Sequence, residues 1–329
     1  MRLLINCLSL LSSWAYSERC KMIRSNWIKY KNGNYNVILN LDNGTKIRET
    51  IDPEATAFIP ETVESFDCKI TNSCDMGCLM CHENSIPNGK HGDLFAPSFL
   101  DTLHPYTEIA IGGGNPLEHP DLYKFLQLCK ERKFIPSMTV NQVHFEKNFD
   151  FIKKLVDEKL IYGLGVSLNN VNKNFVDKLK EIPNAVVHII NGLVTKEQLE
   201  QMRDLGVRKV LILGYKIFRR GETLYSKEAD TIEAKESILK ELLPKILKEK
   251  WFEVVSFDNL ALKQLDVRSL LSEKEWNQFY MGDDGLEGEQ TSASMFIDMV
   301  ERKFAKNSCS EERFDLLPTV EEMYNELRG

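Results

Sequence analysis

The sequence predicts an α/β fold: a parallel sheet curled toward a barrel, with helices on its outside. Two observations carry this. From about residue 66 to 260, short apolar strands alternate with amphipathic helices. The first of these strands leads directly into three clustered cysteines, Cys74, Cys78 and Cys81. Parallel neighbours need a crossover, so strand–helix alternation is the pattern of a parallel sheet, and six or more such units can close toward a barrel.

The strands expected are 67–71, 108–111, 137–141, 162–168, 185–190, 209–213 and 253–257. The helices expected between them are 120–132, 145–159, 174–181, 196–205 and 229–250. In the second helix Phe151, Ile152 and Leu155 recur at helical spacing and give one buried stripe. Ahead of the barrel, residues 26–51 read as an antiparallel meander turning at Asn32-Gly33 and Asp42-Asn43-Gly44. Residues 1–21 contain a short apolar run, Leu3 to Leu11, expected to be a signal, a short helix or an upstream extension of a Met22 start. After 260 the alternation fades. A helix near 270–279, a turn at 281–285 and a late strand at 295–300 are expected. The chain thus divides into a leader and β meander (1–60), a barrel (61–260) and a C-terminal α/β extension (261–329).

The chain has 329 residues, enough for one barrel-sized domain with small additions. Its net charge of −7 argues against a broad nucleic-acid-binding face, which needs clustered Lys and Arg. No apolar run is long enough to span a bilayer. The other cysteines are scattered (Cys7, Cys20, Cys68, Cys129, Cys309), unlike a disulfide framework, so a reducing compartment is expected.

The cysteine spacing is C-x3-C-x2-C. Three thiolates this close can hold three irons of a [4Fe–4S] cluster and leave the fourth open to a small molecule. Structural zinc with His82 as fourth ligand, and plain thiols, are the other readings. At these residues, and over about 64–260, the chain resembles the radical S-adenosylmethionine (SAM) enzymes. The resemblance implies a partial (β/α)6 TIM-like barrel, a cluster on Cys74, Cys78 and Cys81, and SAM chelated at the open iron. Beyond the barrel Cys309 is the only cysteine, so a single cluster without auxiliary ones is expected. Met80 stands where the family often has an aromatic against adenine.

Gly112-Gly113-Gly114-Asn115-Pro116 follows the second barrel strand. The family places Gly-Gly-Glu-Pro here for the amino group of SAM, so the resemblance assigns Gly113, Gly114 and Asn115 to SAM, with Asn in place of Glu. Ser167 and Asn169, on one side of the fourth strand's end, are assigned to ribose or carboxylate. His188 reads as an interior histidine. Asn141, Gly214, Tyr215, Lys216 and Asp258 are further mouth candidates, and no catalytic proton donor stands out. The expected activity is reductive cleavage of SAM to a 5′-deoxyadenosyl radical that takes hydrogen from a small-molecule or peptide substrate. An electron donor such as flavodoxin or ferredoxin, and a cytoplasmic location, go with it. The competing expectation is a non-catalytic iron–sulfur or zinc interaction module that retains the barrel.

Overall fold

The computed structural model describes residues 26–55, 57–279 and 292–328, and the backbone of 3–6. β1 (Leu3–Asn6) is followed by the meander, β2 (Trp27–Asn32), β3 (Tyr35–Asn40) and β4 (Lys46–Thr50), paired antiparallel in that order. The rest of the expected leader and the turn at 281–285 lie outside the described residues.

The barrel strands are β5 (Ser65–Thr71), β6 (Glu108–Gly113), β7 (Ile135–Asn141), β8 (Gly163–Ser167), β9 (Ala185–Ile190), β10 (Lys209–Leu213) and β11 (Val254–Phe257). Each pairs in parallel with the next. The sheet continues past them on both sides. β1 runs antiparallel along β11. β12 (Ser294–Asp298) joins β5 in parallel, and β13 (Lys303–Ala305) and β14 (Phe314–Asp315) follow antiparallel. One sheet therefore takes strands from all three sequence segments.

The helices are α1 (Leu122–Glu131), α2 (Gln142–Lys147), α3 (Phe149–Asp157), α4 (Lys173–Lys180), α5 (Lys196–Leu205), α6 (Arg220–Lys248), α7 (Asn259–Gln264), α8 (Glu273–Phe279) and α9 (Val320–Arg328). The helix expected over 145–159 is two helices, because Asn148 leaves helical geometry (φ −113°, ψ 28°) and its amide side chain donates to the His144 carbonyl. α6 starts nine residues earlier than expected and carries a break at Glu228. α9 escaped the sequence reading, although Thr319 and Glu322 form a capping pair there.

The two faces of the sheet differ. Ile109, Ile111, Met138, Val140, Leu164, Val166, Val187, Ile189, Val210 and Ile212 point outward and are buried in the core with the helices. The opposite face of β6 to β8 carries Ala110, Gly112, Ser137, Thr139, Gly163, Gly165 and Ser167. Barrel interiors are normally filled by branched apolar side chains. The side chains here are small, and all of these residues except Gly165 remain partly solvent-exposed.

Candidate functional site

The cysteine loop is built onto the end of β5. Its two limbs pair: Asn72 N–H donates to Lys90 O (2.8 Å), Cys74 N–H to Ile86 O (3.0 Å) and Ile86 N–H to Asn72 O (3.1 Å). Cys81 N–H donates to Cys78 O (3.2 Å). All three thiols are partly exposed. Burial pushes Cys74 and Cys78 above the ordinary thiol value, and the other thiols of the triad add to this. Two thiols held above their ordinary value by burial and neighbouring sulfur favour a bound cation, because a metal is what stabilises the deprotonated form. The donor set and its placement at the mouth fit an iron–sulfur cluster.

The glycine run meets this loop through its backbone. Gly114 N–H donates to Thr71 O and Asn115 N–H to Ser73 O, each at 2.7 Å. Gly113 has φ +103°, and a Cβ on Gly114 would lie 2.2 Å from Ser73 O. Only glycine permits this approach. These two amides therefore hold the cysteine loop and are not open to a ligand, so any contact of Gly114 or Asn115 with SAM would have to use other atoms.

Asn115 also differs from expectation. It is buried, its Oδ1 accepts from Leu117 N–H (3.3 Å), and its Nδ2 donates to Glu118 Oε1 (3.2 Å). The oxygen offered to an ammonium is thus occupied in capping the 3₁₀ turn Pro116–Glu118. The carboxylate in the neighbourhood is Glu118, whose Oε2 accepts from Ser73 Oγ and whose charge is felt at Cys74. Sequence reasoning missed Glu118. The signal was its position three residues after Asn115, one 3₁₀ turn on.

Ser167 and Asn169 sit at the β8 end, both reachable by solvent. Asn169 Oδ1 accepts from Asn141 Nδ2 (2.7 Å), which joins two mouth candidates. Met80 is half-buried, with its carbonyl beside Gly221 at the start of α6. His188 is buried on the inner face, its ring lying where a side chain on Gly165 would be. Asp258 Oδ1 accepts from Gly214 N–H (2.9 Å) and Ala261 N–H (2.7 Å), so it caps α7.

The segment after β10 grips the cysteine loop from the other side. Arg220 donates to Asn84 Oδ1 (2.9 Å), to Cys78 O (3.4 Å) and to Ser85 O. Arg219 donates to Glu83 O (3.0 Å). Beneath them Lys69 lies between Glu83 (3.1 Å) and Asp298 (3.3 Å), nearly fully buried. This ties the cysteine loop to β5 and to the end of β12. His82 is engaged with Glu83 Oε1 (3.3 Å) and Lys216 Nζ (3.2 Å). The donor atoms that do converge near Cys74 are those of Asp75 and His144, all within 4.8 Å of one another.

No family model matches the chain, and no curated protein matches it. Solved structures do. SuiB of Streptococcus suis bound to the precursor peptide SuiA is 13% identical, with a TM-score of 0.54 over 92% of this chain and 89% of that one. SuiB bound to S-adenosylmethionine gives 13%, 0.54, 93% and 89%. A further SuiB structure gives 13%, 0.52, 87% and 82%. The likeness is one of fold: a large, mostly parallel sheet with helices, a three-stranded N-terminal meander and a C-terminal extension. Among the described residues, no helix is long and apolar enough to cross a membrane.

Proposed function

We propose that this chain is a radical SAM enzyme. The observation that carries the reading is the C-x3-C-x2-C loop at the end of β5, next to a sheet face of small side chains in a fold shared with a SAM-binding protein. Cys74, Cys78 and Cys81 would hold one [4Fe–4S] cluster, with S-adenosylmethionine beside it. With one electron from an external donor, these groups when bound would supply a 5′-deoxyadenosyl radical and release methionine, the radical taking hydrogen from a substrate.

The chain's own residues have definite parts. Arg220 and the amides of Gly114 and Asn115 fix the cysteine loop from two sides, so the three thiols are pre-positioned. Gly112 and Gly163 keep the inner face of β6 and β8 low, while the space beside Gly165 is taken by the His188 ring. Glu118 supplies a negative charge at the rim near Cys74, suited to a cationic cofactor. Met80, Ser167 and Asn169 border the mouth as candidate cofactor contacts. The substrate is a small molecule or a peptide, and the fold likeness to a protein bound to a precursor peptide supports the latter. An external one-electron donor such as flavodoxin or ferredoxin and a cytoplasmic setting complete the reading.

The test is anaerobic reconstitution followed by reduction with SAM. Bound iron and sulfide near four each, and release of 5′-deoxyadenosine, support it. A loaded, reduced protein that never cleaves SAM overturns it. A second reading, a non-catalytic zinc module, draws on the convergence of Cys74, Asp75 and His144. Tightly bound zinc that resists replacement by iron and sulfide would favour it.

A further inference from the structure

Lys216 follows β10 and is only partly exposed. Its ammonium touches His82 Nε2 at 3.2 Å and Ser308 Oγ at 2.9 Å. Among the described residues, no carboxylate lies within 4.0 Å of it. The nearby carboxylates are already shared. Glu83 faces Lys69, His82 and, at 4.0 Å, Arg219. Asp298 faces Lys69 and, at 3.6 Å, Arg313. Four cations (Lys69, Lys216, Arg219, Arg313) thus stand against the buried carboxylates Glu83 and Asp298, with the exposed Asp67 also felt at His82. A half-buried charge without a counter-ion is costly unless something arrives to pair with it.

The cation acting on Cys78 is Arg220, which reaches the loop directly. Arg313 is turned to the carbonyls of Ser308 and Ser310. Lys216 is the member whose partners a ligand can replace without breaking an ion pair. It also stands where three segments meet: the cysteine loop through His82, the β10–α6 loop, and the C-terminal extension through Ser308.

We propose that Lys216 is the anchor of a substrate carboxylate at the mouth of the barrel. This names the substrate class for the site and so rests on the reading of that mouth as substrate-facing. One reachable ammonium balances one negative charge. The carboxylate belongs either to a free organic acid or to an acidic side chain or terminus of a peptide.

The experiment uses the full chain with its cluster reconstituted, in the absence of SAM, at constant ionic strength. The probes are acetate against chloride, and a capped aspartyl peptide against its asparaginyl form. At ten times its Kd a ligand should raise the Tm by roughly 2–4 °C. Wild type and the control Lys31→Met, an exposed meander cation, should show that shift; Lys216→Met should not, while being at least as stable as wild type without ligand. Acetate alone acting identifies a free acid, and the aspartyl peptide acting more strongly identifies a peptide. Equal shifts in wild type and Lys216→Met, or none in wild type, overturn the proposal. So does a Lys216→Met protein that is less stable than wild type, which makes the ammonium structural. SAM affinity is measured separately by equilibrium dialysis. A loss there with Lys216→Met assigns the lysine to the cofactor's carboxylate and overturns the substrate role, whereas wild type that binds no SAM at all sinks the radical SAM reading instead.

Discussion

Asn115 Nδ2 donates to Glu118 Oε1 at 3.2 Å, so two side chains one 3₁₀ turn apart act as a unit beside the cysteine loop. Asn115 caps the turn and steers the carboxylate, while Ser73 Oγ holds its other oxygen. Asn115→Ala should therefore cost about 1 kcal/mol of stability through the lost cap, read by urea unfolding. Glu118→Gln should leave iron content unchanged and weaken SAM binding by about 1.5–3 kcal/mol, the worth of a charge-assisted hydrogen bond. Equilibrium dialysis on the loaded protein reads this, and unchanged affinity removes Glu118 from the cofactor site.

The cysteines separate by position. Replacing Cys74, Cys78 or Cys81 with Ala should abolish iron and sulfide uptake. Cys129→Ala should not, because that thiol is buried in the outer core and pushed up to about 12 by burial. Cys309→Ala should also retain the cluster. Iron and sulfide analysis after reconstitution decides each case, and full occupancy in Cys78→Ala would remove that residue from the ligand set.

Lys69 is the counter-ion of two buried carboxylates at once. Lys69→Met keeps much of its volume but takes the nearest lysine from buried Glu83 and Asp298, leaving them Arg219 at 4.0 Å and Arg313 at 3.6 Å. The loss should reach about 3–5 kcal/mol, the range for breaking a buried pair on one side. Chemical denaturation measures it. A double variant, Lys69→Met with Asp298→Asn, should recover part of the loss.

Acid should loosen the meander from the barrel. Burial opposes ionisation of Glu64, but Lys46 (3.2 Å), Arg48 (3.1 Å) and the Tyr35 hydroxyl outweigh it and hold the carboxyl below its usual range. A depressed folded pKa gives stability that is complete above the unfolded carboxyl value, roughly 4.3, and disappears as pH falls toward the folded value. Unfolding free energy measured from pH 7 downward should fall below about pH 5. A flatter profile in Glu64→Gln checks that this residue is a source of the slope.

Much of the fold was legible because its signals are local. Strand–helix alternation placed β5 to β11, and the helical stripe held at Ile152 and Leu155, whereas Phe151, expected in the same buried stripe, is exposed. The limits of that reasoning are equally local. Asn148 divides one periodic stretch into two helices because a single residue can cap without disturbing the apolar pattern. The short strand β12 was expected, but its place beside β5 was not, since pairing between segments so far apart in the chain leaves no trace in spacing.

By itself, the sequence determined the three thiols, their spacing, the strand that presents them and the small residues of the glycine run. Those depend on residue type and on separations of a few positions. Tertiary structure alone decided what the neighbouring groups do. The amides of Gly114 and Asn115 turn out to bind the loop, Asn115 points its oxygen at a turn, and Lys216 lies against His82 and Ser308, which come from opposite ends of the chain. Hydrogen bonds and counter-ions are settled by which segments the sheet brings together, and that is a property of the packed chain.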